Sequence, residues 1–383
     1  MSKNLTSGNK PHLVVIGAGI VGASIAFHLA LRGAHVTIVD AGEPGQGTSA
    51  VSFAWINGRD KNPRRYHDLN RRSLDMWERF ARRLGGEVGL TWGGELRWAA
   101  TPAGAEELLS RVRTLQSWGY PIRLMDAAEI KGMEPGLSTG PVTAASYTAI
   151  EGHVDTGKVV QTCLARAVER GATIQARTKV IGLHLSRSAS GPARVEAVVM
   201  EGSELPCEVV VLAGGADTPA LAACAGLEVP VYHTFGATII TETIPPVFQQ
   251  AAVVHTPREL QPQLNFRQLP DGVFMLHGGS HGGPRDESMG RTDEEVEQVF
   301  AAAQRFVPAL EGVKIREVRR GRRPIPQDGL PILGFAQAAP NLYLAAMHSG
   351  VTLAPLVGEF AAIEIMDGVR VDLLEPYRVE RFS

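Results

Sequence analysis

Apolar and polar positions change their period several times along the chain, and each change predicts an element. HLVVIG is an apolar strand, GAGIVGASIAFHLALRG a Gly-rich turn that opens a helix, and HVTIVD a second strand, with Gly33 where the helix should stop. NPRRYHDLNRRSLDMWERFARRLGG then places Tyr66, Leu69, Ser73, Trp77, Phe80 and Leu84 on one helical face and most of its arginines on the other. Asn62 is the expected cap, Pro63 the first turn and Gly85 the exit. The arginines read as a solvated face balanced by Asp68, Asp75 and Glu78. Short strands and a helix near 103–118 follow. DTGKVVQTCLARAVERGATIQ is a helix-to-strand step, and CEVVVLAGGADTPAL a buried strand entering a Gly-rich turn.

Between Val229 and His281 the runs GATIITE and GVFMLHGGS alternate, which predicts antiparallel strands. DEEVEQVFAAAQRFVPAL is a helix, and NLYLAAMHSGVTLAPLVGEFAAIEIMDG a strand, a turn and a helix. The two ends are α/β and the middle is rich in strands. The expected fold class is therefore α/β, with a Rossmann-like nucleotide-binding domain discontinuous over 11–89, 150–228 and 320–368. A β-rich α+β substrate domain, 90–149 and 229–319, is inserted into it. Residues 1–10 read as a flexible leader.

At 383 residues two domains are the default. A net charge of −2, from 38 basic and 40 acidic residues, gives no general attraction to nucleic acid or anionic lipid. No apolar run has the length of a membrane span, and MSKNLTSGNK lacks an apolar signal core. Cys163, Cys207 and Cys224 are scattered, which suits a reducing compartment and speaks against a disulfide framework or structural zinc. A cytoplasmic enzyme is expected, with its oligomeric state left open.

Gly17, Gly19 and Gly22 form GxGxxG between a strand and a helix. The first permits a tight turn, the second lets the backbone approach a pyrophosphate, and the third lets helix and strand pack closely. The helix start, at Ile20, offers N–H groups to phosphate. Asp40 ends the second strand, followed by Ala41, where an acid accepts from a ribose diol and disfavours a 2′-phosphate. The turn alone does not separate NAD from FAD.

Four segments, GAGIVGASIAFHLALRGAHVTIVDAG, VVVLAGGADTPAL, RPIPQDGLPILG and HSGVTLAPLVGEFAAIEI, together resemble the FAD-dependent D-amino acid oxidase superfamily. The resemblance runs from about His12 to about Met366 and is strongest to the glycine oxidase, sarcosine oxidase and D-amino acid dehydrogenase branch. It implies FAD. It also implies that Thr48 and Ser49, in GTSAVSFAWING, touch the pyrophosphate and flavin edge. Where the family usually has Ala-Gly, this chain has Phe53-Ala54-Trp55, which brings bulk close to the flavin and makes Trp55 a candidate for the substrate wall. Val51 stands where some relatives attach FAD through histidine, so the cofactor is expected to be non-covalent. Val180 matches a strand whose backbone meets the adenine, and Gly214 and Gly215 match a second cofactor turn. His348, Ser349, Gly350, Val351 and Thr352 match a helix start facing the flavin's pyrimidine end, where reduced flavin is anionic.

In this light the late stretch RRGRRPIPQDGLPILGF reads as part of a site wall. The resemblance implies that Arg323, before the Asp328-Gly329 turn, clamps a substrate carboxylate, since a planar guanidinium binds carboxylate bidentately. Arg319, Arg320 and Arg322 are expected to pair with acids or face solvent. LNFRQLPDGVFMLHGGSHGG resembles the strands over the substrate, adding Arg267, His277 and His281. Sarcosine oxidases carry a lysine above the flavin; this strand holds none, and His277 is the nearest polar residue to that position. The histidines lack acidic neighbours at ligand spacing, so no metal is expected.

The expected reaction is oxidation of the C–N bond of a small amino acid or N-substituted amino acid, by hydride transfer to flavin with hydrolysis of the imine. Arg323 would hold the carboxylate, with His348 and His277 as further candidates at the reacting end. Oxygen, a quinone or a protein could accept the electrons. The rival readings are a dehydrogenase of the same fold, an FAD-binding subunit of a heteromeric sarcosine oxidase or opine dehydrogenase, and an NAD-binding Rossmann protein.

Overall fold

The computed structural model describes residues 11–186, 191–278 and 292–382. His281 and residues 1–10 lie outside the described residues. Strand β1 (His12–Ile16) is followed by helix α1 (Ile20–Leu31) and strand β2 (His35–Val39). β1 sits inside a six-stranded sheet in the order Ile332–Ala336, β8 (Ala339–Ala346), β4 (Val209–Leu212), β1, β2, Thr173–Gln175. All pairs but the first are parallel. Such strands are covered on both faces, which is why they read as continuous apolar runs. α1 is apolar around most of its circumference for the same reason: residues 22–30 are all buried, packed beneath α3 (Gly350–Asp367).

Gly17 adopts φ +102°, and a Cβ there would stand 2.4 Å from the Ala213 carbonyl oxygen. The turn after β1 is therefore closed to any side chain. Gly17→Ala combines that clash with a left-handed backbone, and a destabilisation of roughly 1–3 kcal/mol is expected. Thermal unfolding checks it.

Helix α2 (Arg64–Leu84) buries Tyr66, Leu69, Ser73, Trp77, Phe80 and Leu84, the face the periodicity predicts, and ends at Gly85 with φ +107°. Its start differs from expectation. The cap residue is Pro63, without a side-chain cap bond, and the Asn62 side chain is engaged elsewhere, its Oδ1 accepting from Arg111 Nη1 at 3.0 Å.

The second layer is an eight-stranded sheet. Its order is β7 (Ile315–Pro326), β5 (Val231–Thr243), β6 (Val273–Gly278), Leu264–Gln268, Val253–His255, β3 (Glu95–Ala99), Ala144–Thr148 and Ile122–Met125. It carries its own core, including Leu96, Trp98, Phe266 and Phe274. Two expected boundaries move. β7 pairs with β5 as far as Pro326, so a division at 320 cuts a continuous strand. Beyond 368, Leu374 and Tyr377 enter the core beneath the first sheet, and buried Arg378 pairs with buried Glu364 of α3. Among the described residues no helix is long and apolar enough to cross a membrane.

Candidate active site

Because β1, β2, β4 and β8 are parallel, their C-terminal ends meet at one edge of the sheet. That edge collects Gly17, Asp40, Gly214, Gly215 and the His348-Ser349 turn, and it is where α/β sheets bind ligands. Asp40 fixes the edge locally, since its carboxylate accepts from Ala18 N at 2.7 Å and Gly42 N at 2.8 Å. The next residue, Ala41, is exposed. The backbone of Thr178 bonds the Asp40 carbonyl at 2.8 Å, which brings the strand starting at Val180 to the same place. Ser49 Oγ accepts from Ile20 N at 2.9 Å at the start of α1, and Thr48 Oγ1 donates to the Arg322 carbonyl at 2.6 Å.

The groove between the two glycine turns fits a dinucleotide. A Cβ on Gly19 would meet Ser49 Oγ at 3.2 Å, and one on Gly215 would meet Thr48 Oγ1 at 3.8 Å. At the far end Ser349 is the cap residue of α3 but makes no side-chain cap bond. Its hydroxyl is engaged elsewhere, by Lys61 Nζ at 2.8 Å and Tyr66 OH at 2.7 Å. The first-turn amides of Gly350, Val351 and Thr352 are thus left to other acceptors.

This edge opens into a cleft of about 680 Å³ between the two sheets. Thr48, Val51, Phe53, Trp55, Asp60 and Lys61 line it from the loop before α2, and His348, Ser349, Val351 and Thr352 from the start of α3. Gly236, His277 and Arg323 line it from the second sheet. Arg323 Nη2 donates to the Phe235 carbonyl at 2.9 Å, and its Nε is buried without a hydrogen-bond partner. Among the described residues no carboxylate pairs with it. Burial lowers its pKa. Gly236 opposite leaves room for the guanidinium, since a Cβ there would lie 3.0 Å from Nε. The neighbouring arginines are paired as expected: Arg319 with Glu317, Arg320 with Asp293 and Arg322 with Asp217.

Arg267 is placed differently. Its guanidinium is buried, donates to the Val154 carbonyl at 2.9 Å and lies 5.6 Å from the centre of the Phe53 ring. Phe53 lines the cleft and stands between it and the Arg267 guanidinium, which is not part of the lining and whose Nε is buried without a hydrogen-bond partner. Burial pushes its pKa down to about 9. His277 does line the cleft, 6.4 Å from the Phe53 ring.

Sequence reasoning missed a buried polar network behind the cleft. Glu95 accepts from both Arg59 and Arg97, Arg97 reaches Asp60 at 2.8 Å, and His255 Nδ1 lies 3.1 Å from Glu95. Burial pushes the Glu95 and Asp60 carboxyls up, but the arginines more than offset it and both titrate below the ordinary range. Glu151 accepts from Gly58 N, Arg59 N, Tyr120 OH and Trp55 Nε1, and so anchors both Trp55 and the loop that carries Lys61. Its pKa is raised, by burial first and then by Glu95. Lys61 was missed as well. The charged triplet Arg-Asp-Lys directly after the mostly apolar run VSFAWING is the signal that could have found it.

The family described as DAO, FAD dependent oxidoreductase, matches residues 12–362. The chain belongs to this family. Glycine oxidase of Geobacillus kaustophilus (strain HTA426) is 26% identical over 358 residues, covering 91% of each chain. An opine oxidase subunit of Agrobacterium tumefaciens (strain Ach5) is 26% identical over 384 residues, covering 97% of each. Among solved structures, L-proline dehydrogenase from P. horikoshii superposes with a TM-score of 0.85 at 25% identity, covering 98% of each chain. Membership of the DAO family makes FAD, not NAD, the cofactor.

Proposed function

We propose that this chain oxidises the C–N bond of an amino acid or N-substituted amino acid with FAD. The observation that carries the reading is Arg323: a partly buried guanidinium at the cleft wall with one backbone partner, an unsatisfied Nε and, among the described residues, no carboxylate. A substrate carboxylate supplies the acceptors that the protein does not, and a planar fork holds it in one orientation.

In this reading Gly17, Gly19, Ile20 and Gly22 hold the pyrophosphate with Thr48 and Ser49, and Asp40 and Ala41 sit beside the ribose. Val180 meets the adenine, Gly214 and Gly215 close the second turn, and residues 348–352 face the flavin. Bound FAD supplies the two-electron acceptor that takes a hydride from the carbon bearing nitrogen. The chain's own work is positional. Arg323 fixes the carboxylate, and with it the direction of the Cα–H bond. The α3 start favours the negative charge that accompanies reduction, and Trp55 and Phe53 exclude water from one side.

Anaerobic mixing with glycine, sarcosine, D- and L-amino acids, and secondary amines lacking a carboxylate tests this. Bleaching of the visible flavin band by a carboxylated amine is the expected result, and admission of air then shows whether oxygen is the acceptor. Bleaching by carboxylate-free amines alone would sink the Arg323 assignment. A second reading has its own support: the match to the opine oxidase subunit spans 97% of both chains. As a component of a complex of that kind, the chain would turn over only after a second chain is added.

A further inference from the structure

The cleft holds more positive charge than one substrate carboxylate neutralises. Among the described residues, the charged side chains that line it are the cations Lys61, Arg97, Arg258 and Arg323 and the acid Asp60. Asp60 lies 2.8 Å from Arg97 and 3.5 Å from Arg258. Arg97 also bonds Glu95 at 3.0 Å, and Arg258 bonds Glu107 at 3.0 Å. Those two arginines therefore have carboxylates of their own, which leaves Arg323 and Lys61.

Lys61 is 9% exposed, and its ammonium donates to the neutral hydroxyl of Ser349 at 2.8 Å. The acids that act on it, Asp60 and Glu151, do so through space, without a hydrogen bond. Burial strips the ammonium of water and pushes its pKa down to about 8. The desolvation cost of such a cation is already incurred in the folded protein, so an arriving carboxylate meets a prepared partner. A hydroxyl can orient the ammonium but cannot neutralise it. Tyr66 OH donates its proton to the same Ser349 oxygen, which leaves the Ser349 hydroxyl itself as a second donor beside the ammonium.

We propose that the substrate is an amine bearing two carboxylates, one received by Arg323 and the other by Lys61 beside Ser349 and Tyr66. This rests on the C–N oxidation reading and adds the substrate class to it. The second carboxylate can stand on the nitrogen's other substituent, as in an iminodicarboxylate, or on the side chain of a dicarboxylic amino acid. The same ammonium could alternatively serve the bound cofactor alone, in which case it would favour neither one nor two carboxylates.

The test uses the FAD-loaded protein and two sulfide analogues with no C–N bond to oxidise, thiodiacetate and (methylthio)acetate, titrated at equilibrium by perturbation of the flavin band. Wild type is expected to bind thiodiacetate about tenfold or more tightly than (methylthio)acetate. In Lys61→Met the ratio of the two dissociation constants collapses towards one, and in Lys61→Arg most of the margin returns. Equal binding of both probes by wild type, or a full margin in Lys61→Met, overturns the proposal. If Lys61→Met fails to retain FAD, the wild-type ratio and Lys61→Arg decide.

Anaerobic reduction then separates the two sources. Bleaching by iminodiacetate places the second carboxylate on nitrogen, and bleaching by aspartate or glutamate, either enantiomer, places it on the side chain; both support the proposal. Bleaching by monocarboxylic amines with none by dicarboxylic ones overturns it. Bleaching by no amine at all overturns the C–N oxidation reading instead.

Discussion

Arg323→Met is expected to lower kcat/KM for a carboxylated amine by about 10²- to 10⁴-fold, because two charge-assisted hydrogen bonds are lost at about 1.5–3 kcal/mol each. Both kinetic parameters should suffer. The carboxylate contributes to ground-state binding, so KM rises. It also fixes the Cα–H direction, so kcat falls as the bound substrate samples unreactive poses. Arg323→Lys keeps the charge and loses the planar fork, and should fall between the two. Rapid anaerobic reduction kinetics on protein of verified FAD content separates binding from chemistry. A variant with near-wild-type efficiency on a carboxylated amine would end the clamp assignment.

Arg323 was legible for a reason that also explains what was not. Its motif is local: an arginine, a proline and the Asp328-Gly329 turn within a few residues, on a strand whose pairing with β5 merely carries it to the cleft. The cofactor edge is local in the same sense. Each parallel strand ends in its own turn, and Gly17, Asp40, Gly214 and Ser349 are contributed one strand at a time. The fold follows from the same kind of signal, apolar runs for strands covered on both faces and the helical stripe of α2.

The polar network is of another kind. Arg59, Glu95, Glu151 and His255 lie far apart along the chain, and no short window shows that they meet. Glu95 and Arg97 alternate with Leu96 and Trp98, the pattern of a half-solvated strand, yet all of β3 is buried. Glu95 points into the seam behind the cleft and Arg97 to the cleft wall, both nearly closed to bulk water. Arg267 differs in the opposite direction. Its strand does lie over the cleft, but Phe53 from a distant loop covers the guanidinium. Side-chain order across two domains is set by packing, which periodicity does not encode.

Glu95→Gln should expose how much that seam supports. Glu95 is fully buried and is the carboxylate that Arg59 and Arg97 share. The amide has no charge and keeps one acceptor oxygen for two arginines, so either Arg97 or Arg59, itself 1% exposed and otherwise bonded to Ser146 Oγ at 2.8 Å, faces an N–H donor instead. Breaking a buried pair in this way costs about 3–5 kcal/mol. A fall in Tm of roughly 5–10 °C is expected. The exposed pair Arg177–Glu43 provides the contrast, and Glu43→Gln should stay within about 0.5 kcal/mol of wild type. Acid dependence identifies the cause. The net effect of the arginines is to depress the folded-state pKa of Glu95 below its ordinary 4.5, so its contribution is fully present above that value and is lost as the pH falls below it. The stability gap between wild type and Glu95→Gln should therefore shrink as the pH falls below about 4.5, while above that value it widens from neutral pH downwards as Glu151, held up in part by Glu95, takes its proton. A gap independent of pH would mean that Glu95 acts by shape, and a gap under about 1 kcal/mol that the arginines find other partners.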